Sequence, residues 1–187
     1  MKGKYWAMLL ITLSFAAVGT ASFGDDDDDD HGLEKFLKRK PGVAPVANQL
    51  YTDECGSCHF PYQPGFLPER SWRKLMSNLD DHFGDNAELS ESKNSQLLEY
   101  LAQNSADTSD YRRSKKIMRY IPDSATPLRI TETRYFKKEH DEIPERLVKG
   151  NEQVKSFSNC DSCHQSANTG SFSERDIRIA GYGRWDD

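Results

Sequence analysis

The sequence predicts a mainly α fold with much irregular structure, arranged as two small lobes. Apolar residues recur at helical spacing between Pro68 and Gly84, and again at Leu97, Leu98 and Leu101. Prolines at 122, 127 and 144 interrupt the second half and leave room only for short helices. The pentapeptide Cys-x-x-Cys-His occurs once in each half, at Cys55, Cys58, His59 and at Cys160, Cys163, His164, and uses all 4 cysteines of the chain.

The first segment is an export signal. Lys2 and Lys4 form a short basic start, residues 6–18 are almost wholly apolar, and Gly19, Thr20 and Ala21 are small enough for cleavage. That apolar run is shorter than the roughly 20 residues a bilayer-spanning helix needs, and no comparable run follows, so no membrane insertion of the mature chain is expected. Removing residues 1–21 leaves 166 of the 187 residues, with 23 cations after the loss of Lys2 and Lys4 from 25, against 30 acids. Six of those acids are the aspartates at 25–30, and the remaining 23 and 24 charges nearly cancel. The acidity is therefore one solvated tail, with loose divalent-metal binding beside His31 or docking to a basic partner as the sharper readings. No nucleic-acid partner is expected. A basic stretch at 35–40 and then Pro41, Gly42 and Pro45 make a linker up to residue 45.

A helix from about Ala47 runs into the first pentapeptide. Residues three and four apart lie on one side of a helical turn, so Cys55, Cys58 and His59 can face one planar group. This is the attachment pattern of c-type haem, in which two thiols form thioethers and the imidazole reaches the iron. A zinc ribbon would have to converge four cysteines across more than a hundred residues, and a redox dithiol does not require the following His. Each lobe is too small for a deep core, and a bound haem supplies an apolar surface to pack around.

Pro61, Pro64, Gly65 and Pro68 then force an extended loop, with Tyr62 and Phe66 packed over the haem edge or, for Tyr62, between the two haems. A helix follows from Pro68, carrying Trp72, Leu75, Met76, Leu79, His82 and Phe83 on one face and stopping at Gly84. His82 is the candidate second axial ligand; Met76, on the same stripe, is its rival or plain core packing. Ser90 or Ser92 caps the next helix, which closes the first lobe. Residues 103–116 are polar, with the solvated basic cluster Arg112, Arg113, Lys115 and Lys116, and the lobe boundary falls there, between 108 and 109. In the second lobe, residues 129–133 read as extended, and short helices are expected at 145–148 and 151–157. His140 sits 24 residues before His164, much as His82 follows His59 by 23, and is either an exposed charged-loop histidine or a ligand, with Met118 competing.

Cys-Gly-Ser-Cys-His followed by Tyr62-x-Pro64-Gly65-Phe66-Leu67-Pro68-x-Arg70-Ser71-Trp72, then Leu75-Met76 and Asp81-His82-Phe83-Gly84, resembles the bacterial dihaem cytochrome c family. So do Arg129-Ile130-Thr131-Glu132-Thr133, Tyr135-Phe136, His140-Asp141-Glu142-Ile143, Asn159-Cys160-x-x-Cys163-His164 and Gly170-Ser171-Phe172. The likeness runs from about Pro45 to Trp185; Arg134 departs from it where a proline is expected.

The resemblance implies a class I cytochrome c-like domain at 46–108, a less regular haem domain at 109–187, and two covalently attached haem c groups. It also implies bis-histidine coordination of both irons, with His59, His82, His140 and His164 as ligands, His82 and His140 distal, and low potentials, since imidazole lacks the potential-raising effect of methionine. The expected role is a soluble periplasmic carrier of single electrons between a membrane cytochrome b and a small oxygen-binding monohaem cytochrome c. The alternative of another class is a dihaem enzyme, peroxidase-like or oxygen-binding, with one open iron.

Overall fold

The structure, a computed structural model, describes residues 41–185. The export signal, the aspartate run and the basic stretch at 35–40 lie outside the described residues. Helix α1, Gln49–Cys55, starts two residues later than expected, because the Asn48 side chain accepts a hydrogen bond from the Tyr51 backbone N–H at 2.8 Å and caps it. It ends at Cys55, so Cys58 and His59 stand in the turn beyond it. The proline loop closes in a 3-10 turn, Pro64–Phe66, and the Trp72 indole N–H donates to the Pro64 carbonyl at 2.8 Å, pinning the next helix onto it.

That helix, α2, spans Glu69–Met76 and stops eight residues short of Gly84. Ser77 caps it, Asn78 leaves helical geometry, and a 3-10 turn, Leu79–Asp81, follows. The chain reverses where Phe83 and Gly84 both have positive φ, 61° and 102°, and His82 pairs with Asp85 as an antiparallel bridge. The helical-looking stripe persists past the helix because Leu79 still packs on the same cluster. Ser90, the nearer of the two expected caps, starts α3, Glu91–Gln103. Helices α2 and α3 bury Trp72, Met76, Leu97 and Leu101 with Tyr51 and Leu67, each full burial contributing about 1.5–3 kcal/mol.

The second half departs further from expectation. Helix α4, Arg112–Arg119, forms inside the stretch read as polar boundary, and buries Ser114 and Ile117. The extended reading of 129–133 is replaced by a 3-10 turn, Ile130–Glu132, after which the Thr133 hydroxyl accepts from the Phe136 N–H and caps α5, Arg134–Glu139. A 3-10 turn, Glu145–Leu147, stands for the first expected helix, and residues 151–157 form turns with no helix, Lys155 having φ 66°. The chain closes with a two-stranded antiparallel ribbon, β1 Arg178–Ile179 and β2 Gly183–Arg184.

The two halves share a core across position 108. Val43 and Phe66 are buried with Ile117, Ile121, Tyr135, Ala167 and Phe172. Gly65 meets Ser114 so closely that an added Cβ would lie 2.6 Å from its hydroxyl, which is how α4 docks on the proline loop. Arg70 donates to the carbonyls of Ala125 at 2.6 Å and Pro122 at 3.0 Å, and the buried Gln63 amide donates to Ala167 at 2.6 Å. The basic cluster is not simply solvated surface: Arg113 donates to the Tyr135 hydroxyl at 2.6 Å and the Phe172 carbonyl at 3.1 Å, and both Arg113 and Lys116 face Glu139.

Candidate metal centres

Each Cys-x-x-Cys-His motif presents its histidine to a second histidine. The first is His59, whose Nδ1 lies 2.8 Å from the Phe60 carbonyl. A carbonyl only accepts, so Nδ1 carries the proton and the Nε2 lone pair is free for a metal. The His82 ring faces it, with centroids 6.3 Å apart and planes within 21° of parallel. His82 is held by the reversal at Phe83 and Gly84, where its N–H donates to Asp85 at 2.7 Å and the Arg129 guanidinium lies 3.8 Å over the Phe83 ring. Burial lowers the His82 pKa, and the neighbouring His59 adds to the effect.

At the second site His140 and His164 face each other with centroids 6.1 Å apart and planes crossed at 75°. His140 ends α5, and its Nδ1 donates to the Phe136 carbonyl at 2.8 Å while its ring stacks on the Phe136 ring at 3.9 Å. Phe157 meets it edge-on, and Phe172 packs against His164 at 5.1 Å. His164 Nδ1 is buried and has no hydrogen-bond partner among the described residues. Burial lowers the His140 pKa and pushes His164 down to about 3, where His140 and Arg113 add to the effect, so both rings are neutral and keep a lone pair. Both rings line a mainly apolar pocket, with Phe66, Ile143, Val154 and Cys163 among its other walls.

These gaps fit one metal ion each. An imidazole nitrogen binds a metal at about 2.0 Å and the ring centre lies about 1.2 Å further, so two opposed rings on one ion have centroids about 6.4 Å apart. Among the described residues no three His, Cys, Asp or Glu side chains converge as a metal cluster, which leaves no zinc ribbon there. Burial, the largest cause in each case, pushes the Cys55 thiol up to about 11 and Cys160 to about 12, and also raises Cys163. Such thiols are poor thiolate ligands and poor redox nucleophiles. Two imidazoles per ion, with the four equatorial positions left to a porphyrin tied through the thiols, is the donor set the residues fit.

Tyr62 lies between the two motifs: its ring stacks on His59 at 4.9 Å and its hydroxyl donates to the Ser158 carbonyl at 2.8 Å, two residues before Cys160. Met76 is core packing with Tyr51 and Leu67, and the second imidazole beside His59 is that of His82. Sequence reasoning missed the aromatic bracket of Phe136, Phe157 and Phe172; the four-residue spacing from Phe136 to His140 on a helical segment was the available signal. It also missed Arg129 over Phe83, which no local pattern announces.

The sequence model of the family described as dihaem cytochrome c matches residues 51–172. Among curated proteins none matches the chain. Three solved structures are similar. The X-ray structure of a new dihaem cytochrome type c from Shewanella baltica OS155 is 41% identical with TM-score 0.62, over 74% of this chain and 98% of that one. A dihaem cytochrome c from Rhodobacter sphaeroides is 40% identical with TM-score 0.62, over 70% and 100%. A crystal structure of the protein purified from that organism is 38% identical with TM-score 0.56, over 68% and 99%.

Proposed function

Since the chain belongs to the dihaem cytochrome c family and so carries two covalently attached c-type haems, we propose that it is an exported carrier of single electrons with both irons closed by histidine pairs. When bound, haem iron supplies reversible one-electron exchange between Fe(III) and Fe(II). Cys55 and Cys58 tether one group and Cys160 and Cys163 the other. His59 and His82 would hold the first, and His164 and His140 the second. The observation that carries this reading is the pair of imidazole centroid separations, 6.3 and 6.1 Å, each close to the span of two rings that share one ion.

The carbonyls of Phe60 and Phe136 take up Nδ1–H of His59 and His140, so Nε2 is the nitrogen each ring has left for iron. Two side-chain ligands on each iron would leave no place there for substrate or oxygen, which suits electron passage and disfavours bond chemistry. Imidazole in place of thioether sulfur keeps the potentials low. Tyr62 lies at the edge of both sites and holds the two motifs together. The export signal directs the protein to the periplasm, and its redox partners are a membrane cytochrome b as donor and a small oxygen-binding monohaem cytochrome c as acceptor. No helix among the described residues is long and apolar enough to cross a membrane.

The test is carbon monoxide binding by the dithionite-reduced holoprotein, with the optical and paramagnetic resonance spectra of the ferric form. Two low-spin haems and no bound carbon monoxide are expected. A high-spin ferric signal or rapid carbon monoxide binding would point instead to an open iron and an enzyme. Rapid reduction of an oxygen-binding monohaem cytochrome c by the reduced protein tests the acceptor separately.

A further inference from the structure

We propose that the site formed by Cys160, Cys163, His164 and His140 has the higher reduction potential and takes the first electron, because its imidazole planes are crossed at 75° while those of His59 and His82 lie within 21° of parallel. The proposal rests on the histidine pairing above. Ring-plane angle matters because imidazole donates electron density through its π system into the iron d orbitals that lie perpendicular to the ring. Parallel rings both act on the same orbital and raise it, so the hole of low-spin Fe(III) settles there and the ferric state is stabilised. Crossed rings act on different orbitals, neither is raised as far, and Fe(III) is stabilised less.

A carbonyl accepting from Nδ1–H makes an imidazole more basic and favours Fe(III), but this does not separate the sites, since Phe60 accepts from His59 at the first and Phe136 from His140 at the second. One further observation points the same way as the ring planes. Burial disfavours the more highly charged ferric form, and His140 and His164 line an apolar cavity whereas Cys58 and Phe83 beside the first site are exposed. Charged side chains do not decide the order: Arg113 and Lys116 face Glu139 at the second site, and Arg129 near His82 faces Glu132 while Asp85 lies beside that ring.

Phe136 is the positioning residue that sets the crossing. Its ring stacks on His140 only 12° from parallel while its carbonyl holds Nδ1, so the His140 plane follows α5 and not the partner imidazole. Reduction itself adds one electron, taken in the test from dithionite, and turns Fe(III) into Fe(II) with no ligand bond broken and no proton moved.

The experiment is a potentiometric titration of the holoprotein followed by electron paramagnetic resonance. Crossed rings leave the two iron orbitals nearly degenerate and yield a single far-low-field line, whereas parallel rings yield a rhombic low-spin signal. Both signals are expected, with the far-low-field line lost at the higher potential. Loss of the rhombic signal first, or two signals of one type, would overturn the proposal with the pairing intact. A high-spin signal in the ferric protein would overturn the pairing itself. In Phe136→Leu the far-low-field line should move toward the rhombic position and the two potentials should converge, while Phe136→Tyr should retain both. Unmoved signals in Phe136→Leu would remove Phe136 from the account.

Discussion

Four histidines form the two candidate centres, and their surroundings prepare them in three ways. His59 and His140 have their free nitrogen chosen by a carbonyl, His164 is neutral because burial penalises its charged form, and His82 is presented by a reversed turn. His82→Ala and His140→Ala should each convert one haem to a form that binds about one carbon monoxide per chain and leave the other low-spin, read from optical spectra and gas titration. An unchanged low-spin spectrum in either variant would refute that ligand. Acid should weaken the fold through His164. Unfolded imidazole takes up a proton near pH 6.5, whereas folded His164 resists protonation until about 3, so in that window the unfolded chain binds more protons. Stability is therefore fully present above about 6.5 and falls with pH through the window, by up to about 1.4 kcal/mol per pH unit for this one group. Urea midpoints of the holoprotein at pH 7, 6, 5 and 4 should fall in that order. The proximal histidines and thiols were legible because their spacing is a local signal. His82 and His140 were legible only as candidates, since the face-to-face approach of two rings is set by tertiary folding.

Helices were readable where propensity and packing agree. The Trp72 and Leu97 helices were found, but α2 was drawn too long because Leu79 keeps the apolar period in a segment whose backbone has already left the helix. Helix α4 was missed because its sequence is mostly charged and buries only a narrow stripe, Ser114 and Ile117, against another part of the chain. The α1 cap is testable: Asn48→Ala should cost about 1 kcal/mol in urea denaturation and leave the low-spin spectrum unchanged. Gly170 is under greater constraint. It has φ 77°, its carbonyl accepts from the Val43 N–H, and a Cβ there would sit 2.3 Å from the Val43 carbonyl oxygen. Backbone strain of about 1–2 kcal/mol adds to the cost of displacing that strand, so Gly170→Ala should destabilise by about 3 kcal/mol or more.

The two haem sites hang on one interlocked body. Val43 and Phe66 before position 108 are buried with Ile117, Ala167 and Phe172 after it, and Arg70 and Gln63 close hydrogen bonds across the same divide. The division at 108 and 109 marks where the haem motifs part, but the packing runs through it. Thermal or urea unfolding should accordingly be one transition, with Soret signals of both haems and far-ultraviolet circular dichroism coinciding. Two separated transitions would show lobes that stand alone. Sequence pattern announced two haem units because the motifs repeat; it could not announce their fusion, because the contacts that make it join residues about a hundred apart.

The hydrogen bond from Gln63 to Ala167 spans 104 residues and sets a timetable for the protein's making. As the chain is delivered from its N-terminal end, Cys55 and Cys58 emerge more than a hundred residues before the partner that buries Gln63. Until then the core shared by the two halves is incomplete and the proline loop beside those thiols lacks its cover, although the first half can already bury its own cluster. The long-range closure that completes the mature protein is also a delay that keeps this side of the newborn chain open for attachment.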